Sequence, residues 1–400
     1  MDRQNFNEWL PGCPLPSDSD WQRSETLVKK IRERICRQER IPFSEYMQLA
    51  LYTPELGYYT GQSVRFDEQG DFTTAPNISP VFGACLARQC QQVLQKLGSG
   101  RILELGAGNG QMAVDILTRL EQEGMLPQAY QILECSPMLR VAQQETLQSK
   151  LPHVMSRVEW LDSLPSRFEG VIVANEFLDA LPVERLRWTG QRWLRSLVSM
   201  DENENLVEEF FTVEDASLGQ AVEHVFAERQ SDLCEGYTTE MCPLAAEWAS
   251  QLSGCLHQGL ILLLDYGYPR SEYYHPQRTN GTLTCFYRHR RHDNPLIIPG
   301  LQDISCHVDF TRLVEVAVEE GVDLSGFNTQ AAFLMACGLG EWMEKQGQAE
   351  DIRRRITRND AVDRLLAPGE MGELVKVIGF QKGIEEPMLG FGLQDMSYRL

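Results

Sequence analysis

Short apolar runs alternate with segments of helical periodicity over the middle of the chain. Four of these runs are short enough to be buried strands, and amphipathic segments separate them; they lie at residues 101–106, 129–135, 157–162 and 168–176. A fifth run follows at residues 259–267. Because strands that alternate with helices pair in parallel through right-handed crossovers, the pattern predicts an α/β fold with a doubly wound, mostly parallel sheet.

A different pattern interrupts this alternation. Residues 183–212 alternate apolar with polar positions and carry turn signals between the runs, which predicts an inserted antiparallel meander. Residues 268–300 predict a long irregular loop, and such a loop inside a compact domain is typical of a functional segment. Helical spacing is present at residues 24–50, 80–97, 109–123, 216–229, 243–254, 309–320 and 329–347. Residues 375–382 indicate a last strand.

Acidic residues stand near the carboxyl ends of four predicted strands: Glu104, Glu134, Glu176 and Asp265. Central parallel strands are buried on both faces, so a lone carboxylate there is costly unless it is paired, hydrogen-bonded or hydrated. Open parallel sheets bind ligands beyond the carboxyl ends of their strands. We therefore expect a carboxylate-lined crevice at that edge; the alternative is four independent, solvated acids.

The loop after the first strand carries glycines at 106, 108 and 110, so a ligand can approach its backbone closely. The spacing is GxGxG, and Gln111 stands where the dinucleotide pattern GxGxxG has its third glycine, which disfavours a pyrophosphate site. Glu134 closes the next strand 24 residues after Gly110. An acid at that place can accept hydrogen bonds from both ribose hydroxyls of an adenosine.

S-adenosylmethionine fits these residues, because it carries a ribose and an amino-acid tail but no phosphate, and its two positive charges favour an acidic site. Asp162, after the third strand, is a candidate for the adenine amino group, with a solvated loop acid as an equal alternative. Beyond the fourth strand, Asn175 precedes two carboxylates, Glu176 and Asp179, that are three residues apart. Such a pair can bind a guanidinium and take its proton, or can balance a helix dipole. The basic run 287–292 can bind an anionic group, although a solvated loop is the simpler interpretation.

Composition narrows the choice of partners and compartment. The formal net charge of −20 would repel a phosphate backbone, so we expect no nucleic acid. The eleven cysteines include no CxxC pair, which disfavours a zinc site and suits a reducing cytoplasm. The N-terminal segment predicts neither a secretory signal nor a transit peptide, and the longest apolar runs, such as 260–264, are too short to span a bilayer. We therefore expect a cytoplasmic protein that has no metal and no membrane partner.

Several blocks together resemble the MidA-like S-adenosylmethionine-dependent methyltransferases, over roughly residues 40–380; the blocks are 57–59, 70–83, 103–113, 174–183, 263–276 and 281–310. The resemblance implies a seven-stranded, Rossmann-like methyltransferase sheet with an extra substrate-facing region. It also implies protein arginine methylation, because mitochondrial members are complex I assembly factors with that activity. Where the family often has Ser-Pro-Glu, this chain has Ala75-Pro76-Asn77, and Ala84 replaces an acid that often follows Phe-Gly.

On this resemblance, the loop with Gly70, Asp71 and Pro76 covers the cofactor, and Asn175 and Glu176 face the methyl group. We predict Glu176, Asp179 and Asp265 as catalytic residues. The predicted cofactor-binding residues are Gly70, Asp71, Pro76, Glu104, Gly106, Gly108, Gly110, Glu134, Asp162 and Asn175.

We predict three parts of the chain: an N-terminal helical region with the cofactor-covering loop (1–97), a methyltransferase core (98–182 and 257–385) and an inserted antiparallel and helical subdomain (183–256). The predicted partner is a protein that offers an arginine, and a homodimer is compatible with the sequence. Alternative functions are methylation of a small molecule or RNA, and a non-catalytic assembly chaperone that binds S-adenosylmethionine. The acidic charge counts against RNA. The glycine spacing counts against a further alternative, an NAD-dependent oxidoreductase.

Overall fold

The computed structural model describes residues 6–61, 74–347 and 352–400. The α-helices are α1 (Phe6–Trp9), α2 (Asp18–Gln38), α3 (Phe43–Tyr52), α4 (Ala75–Ile78), α5 (Pro80–Leu97), α6 (Gln111–Gln122), α7 (Pro137–Lys150), α8 (Ala216–Phe226), α9 (Pro243–Cys255), α10 (Arg270–Tyr273), α11 (Phe310–Glu319), α12 (Gln330–Ala336), α13 (Leu339–Gly347), α14 (Ile352–Leu366) and α15 (Met371–Leu374). The strands are β1 (Ile41–Pro42), β2 (Arg101–Leu105), β3 (Tyr130–Leu133), β4 (Val158–Leu161), β5 (Phe168–Asn175), β6 (Glu184–Trp188), β7 (Trp193–Met200), β8 (Leu206–Thr212), β9 (Thr238–Met241), β10 (Leu256–Tyr268), β11 (Thr284–Tyr287), β12 (Arg290–His292), β13 (Asp303–Ser305), β14 (Val308–Asp309), β15 (Asp323–Thr329) and β16 (Val375–Lys382).

The central sheet has the strand order β15-β16-β10-β5-β2-β3-β4, and β14 pairs with the end of β10. The strands β4, β3, β2, β5 and β10 are parallel, whereas β16 is antiparallel to both β10 and β15. The predicted doubly wound, mostly parallel sheet is therefore confirmed. The strand order reverses between β2 and β5, which is where open α/β sheets place their ligands.

Helices cover both faces of this sheet because its inner strands are apolar on both sides. Along β10, Leu260, Leu262 and Leu264 pack in the core that contains α5 and α6. The alternate residues Ile261 and Leu263 pack with α9 and α11 on the other face. Each fully buried leucine or isoleucine contributes roughly 1.5–3 kcal/mol through the hydrophobic effect, so this run stabilises the sheet from both sides.

A second sheet is antiparallel, with the order β1-β7-β6-β9 and β8 paired to β7. The predicted meander over residues 183–212 corresponds to β6, β7 and β8, which pair in succession. Helices α2 and α3 share a hydrophobic core with this sheet, in which Leu27 and Ile31 lie with Val198. The division of the chain into three parts stays a prediction.

The prediction of a long irregular loop over 268–300 is wrong. This region contains α10 and the hairpin β11–β12, and β13 adds to β11 to form a third, three-stranded sheet. The strand β11 alternates half-buried with buried residues, but over only four positions, and the neighbouring arginines and histidines conceal that alternation.

The C-terminal part also differs from the prediction in detail. The helix predicted over 329–347 is two helices, α12 and α13, because Gly338 between them has a φ of +86°. The strand β15 was not predicted from its polar sequence, nor was α14. Within the described ranges, no helix is both long and apolar enough to cross a membrane.

Candidate functional site

A cleft of about 650 Å³ opens beyond the carboxyl ends of β2, β3, β5 and β10. Its walls also include α4, the segment around Tyr59 and the three-stranded sheet of β11, β12 and β13. Eight of the predicted site residues line it: Pro76, Glu104, Gly106, Gly108, Glu134, Asn175, Glu176 and Asp179. The strand-end acids Glu104, Glu134 and Glu176 therefore lie in one cleft rather than on unrelated surfaces.

The glycine loop after β2 forms the floor of the cleft. Gly106 and Gly108 have φ values of +63° and +52°, which L side chains adopt at a cost. A Cβ on Gly106 would lie 3.1 Å from the ring of Phe177. Gly110 has a φ of +83° but does not line the cleft; a Cβ there would lie 3.2 Å from Cα of Gln143, so its small size serves the packing of α7.

Two carboxylates stand at the ends of adjacent strands behind this loop. Glu104 is 1% exposed and accepts a hydrogen bond of 2.6 Å from the Tyr130 hydroxyl. Burial raises the pKa of Glu104 to about 7. Glu134 accepts from the backbone N–H of Ser136 (2.9 Å) through one oxygen and from the Gln143 amide (3.0 Å) through the other. Burial also raises the pKa of Glu134, although these hydrogen bonds oppose the change.

Glu176 follows β5 with a φ of +50°. A non-glycine residue in the left-handed region costs roughly 1–2 kcal/mol, and such strain concentrates at functional sites. Its carboxylate accepts from the Ala75 backbone N–H (3.3 Å) and from Nδ2 of Asn175 (3.0 Å). Burial, reinforced by the charges of Asp265 and Asp303, raises the pKa of Glu176 to about 7.

Asp265 was predicted among the acids that line the crevice, but the structure places its side chain elsewhere. Its carboxylate is 1% exposed and does not line the cleft. One oxygen accepts from the backbone N–H groups of Phe177 (3.1 Å), Leu178 (2.7 Å) and Asp179 (3.3 Å), and the other accepts from that of Tyr266 (2.9 Å). The Asp265 carboxylate therefore holds the turn after Glu176 and does not line the cleft.

Sequence reasoning missed several residues of the cleft, among them Asp303, Tyr52 and Tyr59. Asp303, on β13, accepts from the Tyr59 hydroxyl (2.8 Å) and from Ser305 Oγ (3.0 Å). The rings of Tyr59 and Tyr52 stack with centroids 5.6 Å apart, and the Tyr52 hydroxyl donates to the backbone oxygen of Ala180 (3.0 Å). Residues 57–59 and 281–310 lay within the family-like blocks, but nothing in the local pattern placed them beside β5.

Three carboxylates thus line the cleft close enough to affect one another's charge: Glu176, Asp179 and Asp303. Burial, followed by the negative charges of Asp265, Asp303 and Glu176, raises the pKa of Asp179 well above its ordinary value. A positive charge bound beside these acids would relieve their mutual repulsion.

Among the described residues, two predicted cofactor residues, Gly110 and Asp162, do not line the cleft. Asp162 lies just beyond the edge strand β4, where its side chain is 91% exposed and pairs with Arg140 at 2.7 Å. The cleft therefore does not include Asp162, and the alternative of a solvated acid describes it. Gly70 and Asp71 lie outside the described residues.

Comparison with known proteins agrees with this geometry. A family model described as "Putative S-adenosyl-L-methionine-dependent methyltransferase" matches residues 85–328. A crystal structure from Burkholderia thailandensis, described as a "likely methyl transferase" bound to S-adenosyl-homocysteine, is 38% identical in sequence, covers 97% of this chain and 100% of its own, and superposes with a TM-score of 0.91.

Two curated relatives are more distant. The "Protein arginine methyltransferase NDUFAF7 homolog, mitochondrial" of Drosophila melanogaster is 28% identical over 92% of this chain and 88% of its own length. The "Protein arginine methyltransferase NDUFAF7, mitochondrial" of Homo sapiens is 27% identical over 87% of this chain and 81% of its own length.

Proposed function

The chain belongs to this family of S-adenosyl-L-methionine-dependent methyltransferases, and from that premise we propose that it methylates arginine side chains of a protein. The convergence of Glu176, Asp179 and Asp303 in the cleft carries the proposal. The descriptions of the curated relatives as protein arginine methyltransferases support it. A cytoplasmic location and a homodimer stay predictions.

The residues present fit the cofactor. The glycine loop leaves backbone accessible at Gly106 and Gly108, and Glu134 lines the cleft beside it. The Glu134 oxygens accept hydrogen bonds from Ser136 and Gln143, and a carboxylate, with about four acceptor sites, can also accept from hydroxyl groups such as those of ribose. Oδ1 of Asn175 is buried and has no hydrogen-bond partner among the described residues, so it is an acceptor that a bound donor would satisfy.

We expect Glu134 to hold the ribose hydroxyls, with Gly106 and Gly108 against the cofactor and Glu104 supplying negative charge nearby. When bound, the cofactor supplies a methyl group on positively charged sulfur for in-line displacement. No covalent enzyme nucleophile is needed for that reaction; the chain's task is to align the acceptor nitrogen and to exclude water.

The acceptor side suits a guanidinium. This group is planar, stays positively charged and presents a fork of five N–H donors, which pairs well with carboxylates. A cation of that kind can be buried only against negative charge, and Glu176, Asp179 and Asp303 provide it. The stacked rings of Tyr52 and Tyr59 form part of the same wall and exclude water from it.

Glu176 also meets the requirement for a proton acceptor. Transfer of a methyl group to a guanidinium nitrogen releases one proton, and a base works best when its pKa lies near the working pH. The raised pKa of Glu176, about 7, satisfies that condition. Its two hydrogen bonds, from Ala75 and Asn175, fix the carboxylate in the cleft.

Labelled methyl transfer into a whole-cell lysate, followed by mass spectrometry, tests this proposal. We expect the label on arginine residues of a protein. Label on RNA, on a small molecule or on another amino acid would show that arginine is not the acceptor.

The variant Glu176→Gln keeps the shape of the side chain but removes the base. It should bind S-adenosylmethionine normally in calorimetry and lose about a hundredfold or more of its turnover. Glu235→Gln, at an exposed position outside the cleft, is the matched control. Full turnover of Glu176→Gln would refute the role of Glu176 as base.

A further inference from the structure

On one face of the three-stranded sheet, an aspartate stands on one edge strand and an arginine on the other. Phe286 on β11 is the cross-strand partner of Asp303 on β13 and of Arg291 on β12. Cross-strand partners share a face, and all three residues line the cleft. Because neighbouring strands are about 4.8 Å apart, the backbones at Asp303 and Arg291 are separated by roughly 10 Å.

A second arginine lies on the same side of the cleft. The guanidinium of Arg278 stands 4.5 Å from the ring centre of Tyr268, and its Nε donates to the backbone oxygen of Glu272 at 3.4 Å. Neither Arg278 nor Arg291 has a carboxylate within ion-pair distance among the residues that the structure describes. Two uncompensated guanidinium groups in one cleft are unusual in a chain whose net charge is −20.

His307 lines the cleft near these cations. Its ring stands 5.1 Å from that of Tyr268, and the preceding residue, Cys306, donates its backbone N–H to the backbone oxygen of Asp179 (2.9 Å). Nδ1 of His307 is buried and has no partner among the described residues. Burial, followed by the positive charges of Arg278, Lys376 and Arg291, lowers the pKa of His307 to about 4, so the ring is neutral at physiological pH and carries one N–H donor.

Buried groups hold this part of the cleft in place. Glu240, on β9 of the second sheet, is fully buried and accepts from the backbone N–H of Thr282 at 2.7 Å. Thr282 Oγ1 in turn accepts from the backbone N–H of His307 at 3.2 Å. A Cβ on Gly281 would lie 2.3 Å from the Glu240 carboxylate, so this close approach needs glycine. These contacts fix Gly281, Thr282 and His307 in the wall of the cleft, and Arg291 stands exposed on the edge strand β12.

We propose that Arg278, Arg291 and His307 form a subsite for an oxyanion, a carboxylate or a phosphate, that the protein acceptor carries close to its methylated arginine. The inference rests on the proposed arginine methylation and adds sequence specificity to it. Guanidinium groups without partners bind such oxyanions through paired, charge-assisted hydrogen bonds.

The geometry also indicates the spacing on the acceptor. Residues two apart in an extended segment point to the same side and lie about 6.6 Å apart. With an arginine directed at Asp303, the side chain two residues away can extend towards Arg291 and cover the remaining distance. We therefore expect the anionic residue two positions before or after the arginine.

Steady-state methyl transfer to synthetic peptides tests the subsite. Each peptide has one arginine and carries Glu, phosphoserine or Gln at one position from −3 to +3. We expect Glu or phosphoserine at −2 or +2 to lower KM about tenfold relative to Gln, with little change in kcat. Arg278→Gln and Arg291→Gln should remove that difference, so that the Glu and Gln peptides have the same KM in each variant. Arg192→Gln, at an exposed turn between β6 and β7, should behave as the wild type.

A preference for Glu alone would assign the subsite to a carboxylate, and a preference for phosphoserine alone would assign it to a phosphate. Transfer without any preference for an anion, or a preference that survives both variants, overturns the proposal.

Calorimetry with the same Glu and Gln peptides is a second measurement that needs no turnover. If no peptide is methylated, the proposal of arginine methylation is wrong. The proposed oxyanion subsite is then still supported if the Glu peptide binds more tightly than the Gln peptide and loses that advantage in Arg278→Gln. It is refuted if both peptides bind equally.

Discussion

Replacement of Glu104 by glutamine should stabilise the protein at neutral pH, although it removes a charge from the active cleft. Glu104 is 1% exposed, and burial raises its pKa from 4.5 to about 7. Between those values the folded chain keeps the proton that the unfolded chain has lost. The wild-type free energy of unfolding therefore falls as the pH rises through this window.

The size of this stability difference follows from the pKa shift of Glu104. A difference of about 2.5 pKa units corresponds to about 3 kcal/mol at pH values above 7, since one unit is worth about 1.4 kcal/mol. Glutamine cannot ionise, yet its amide oxygen can still accept the hydrogen bond from Tyr130 that Glu104 accepts at 2.6 Å. Glu104→Gln should thus match the wild type near pH 4.5 and exceed its stability by up to about 3 kcal/mol at pH 8.

Urea unfolding of the cofactor-free protein at half-unit steps from pH 4.5 to 8 measures this difference. Glu235→Gln, at an exposed position, controls for the loss of one negative charge and should follow the wild type throughout. The same Glu104→Gln variant should bind S-adenosylmethionine more weakly at pH 8, because the ionised carboxylate is the form that attracts the positive cofactor. A constant stability difference between the two chains across the pH range would refute the raised pKa as the cause.

Three further outcomes follow from the site geometry. Asp265→Asn should lower kcat by tenfold or more with cofactor affinity nearly unchanged, because Asp265 holds the turn that follows Glu176. Wild-type kinetics of this variant in a stopped assay would show that Asp265 is not needed to position Glu176. Glu134→Ala should weaken S-adenosylmethionine binding about tenfold in calorimetry, whereas Glu145→Ala, exposed on α7, should not; equal affinities would remove Glu134 from the ribose site. The kcat/KM of transfer should fall about tenfold per unit below pH 7, because Glu176 with its pKa of about 7 must be ionised to accept a proton; a flat profile from pH 6 to 8 would contradict this role.

The parallel core was accessible to sequence reasoning because its chemistry is local. The strands β5 and β10 are buried on both faces, and the continuous apolar runs in their sequences predict this burial. The helical spacing at residues 80–97 likewise corresponds to α5, and the Ser79 side chain caps its start by accepting from the backbone N–H of Val81.

The acceptor side of the cleft was not accessible in the same way. Asp303 and Tyr59 are 244 residues apart in sequence, and only the tertiary fold brings their side chains within a hydrogen bond. The orientation of the Asp265 side chain could not be predicted for a related reason. A strand-end acid can face a ligand or can turn back to bind neighbouring backbone N–H groups, and the sequence does not distinguish the two orientations.

The walls of the cleft come from two separate sheets, and this division affects how the enzyme can lose function. The glycine loop and Glu134 belong to the large parallel core, whereas Arg291 and Asp303 belong to a sheet of only three short strands. Small sheets with few hydrogen bonds open at a lower free energy than the core around them. Warming or mild denaturant should therefore abolish recognition of the acceptor first, while the protein continues to hold its methyl donor.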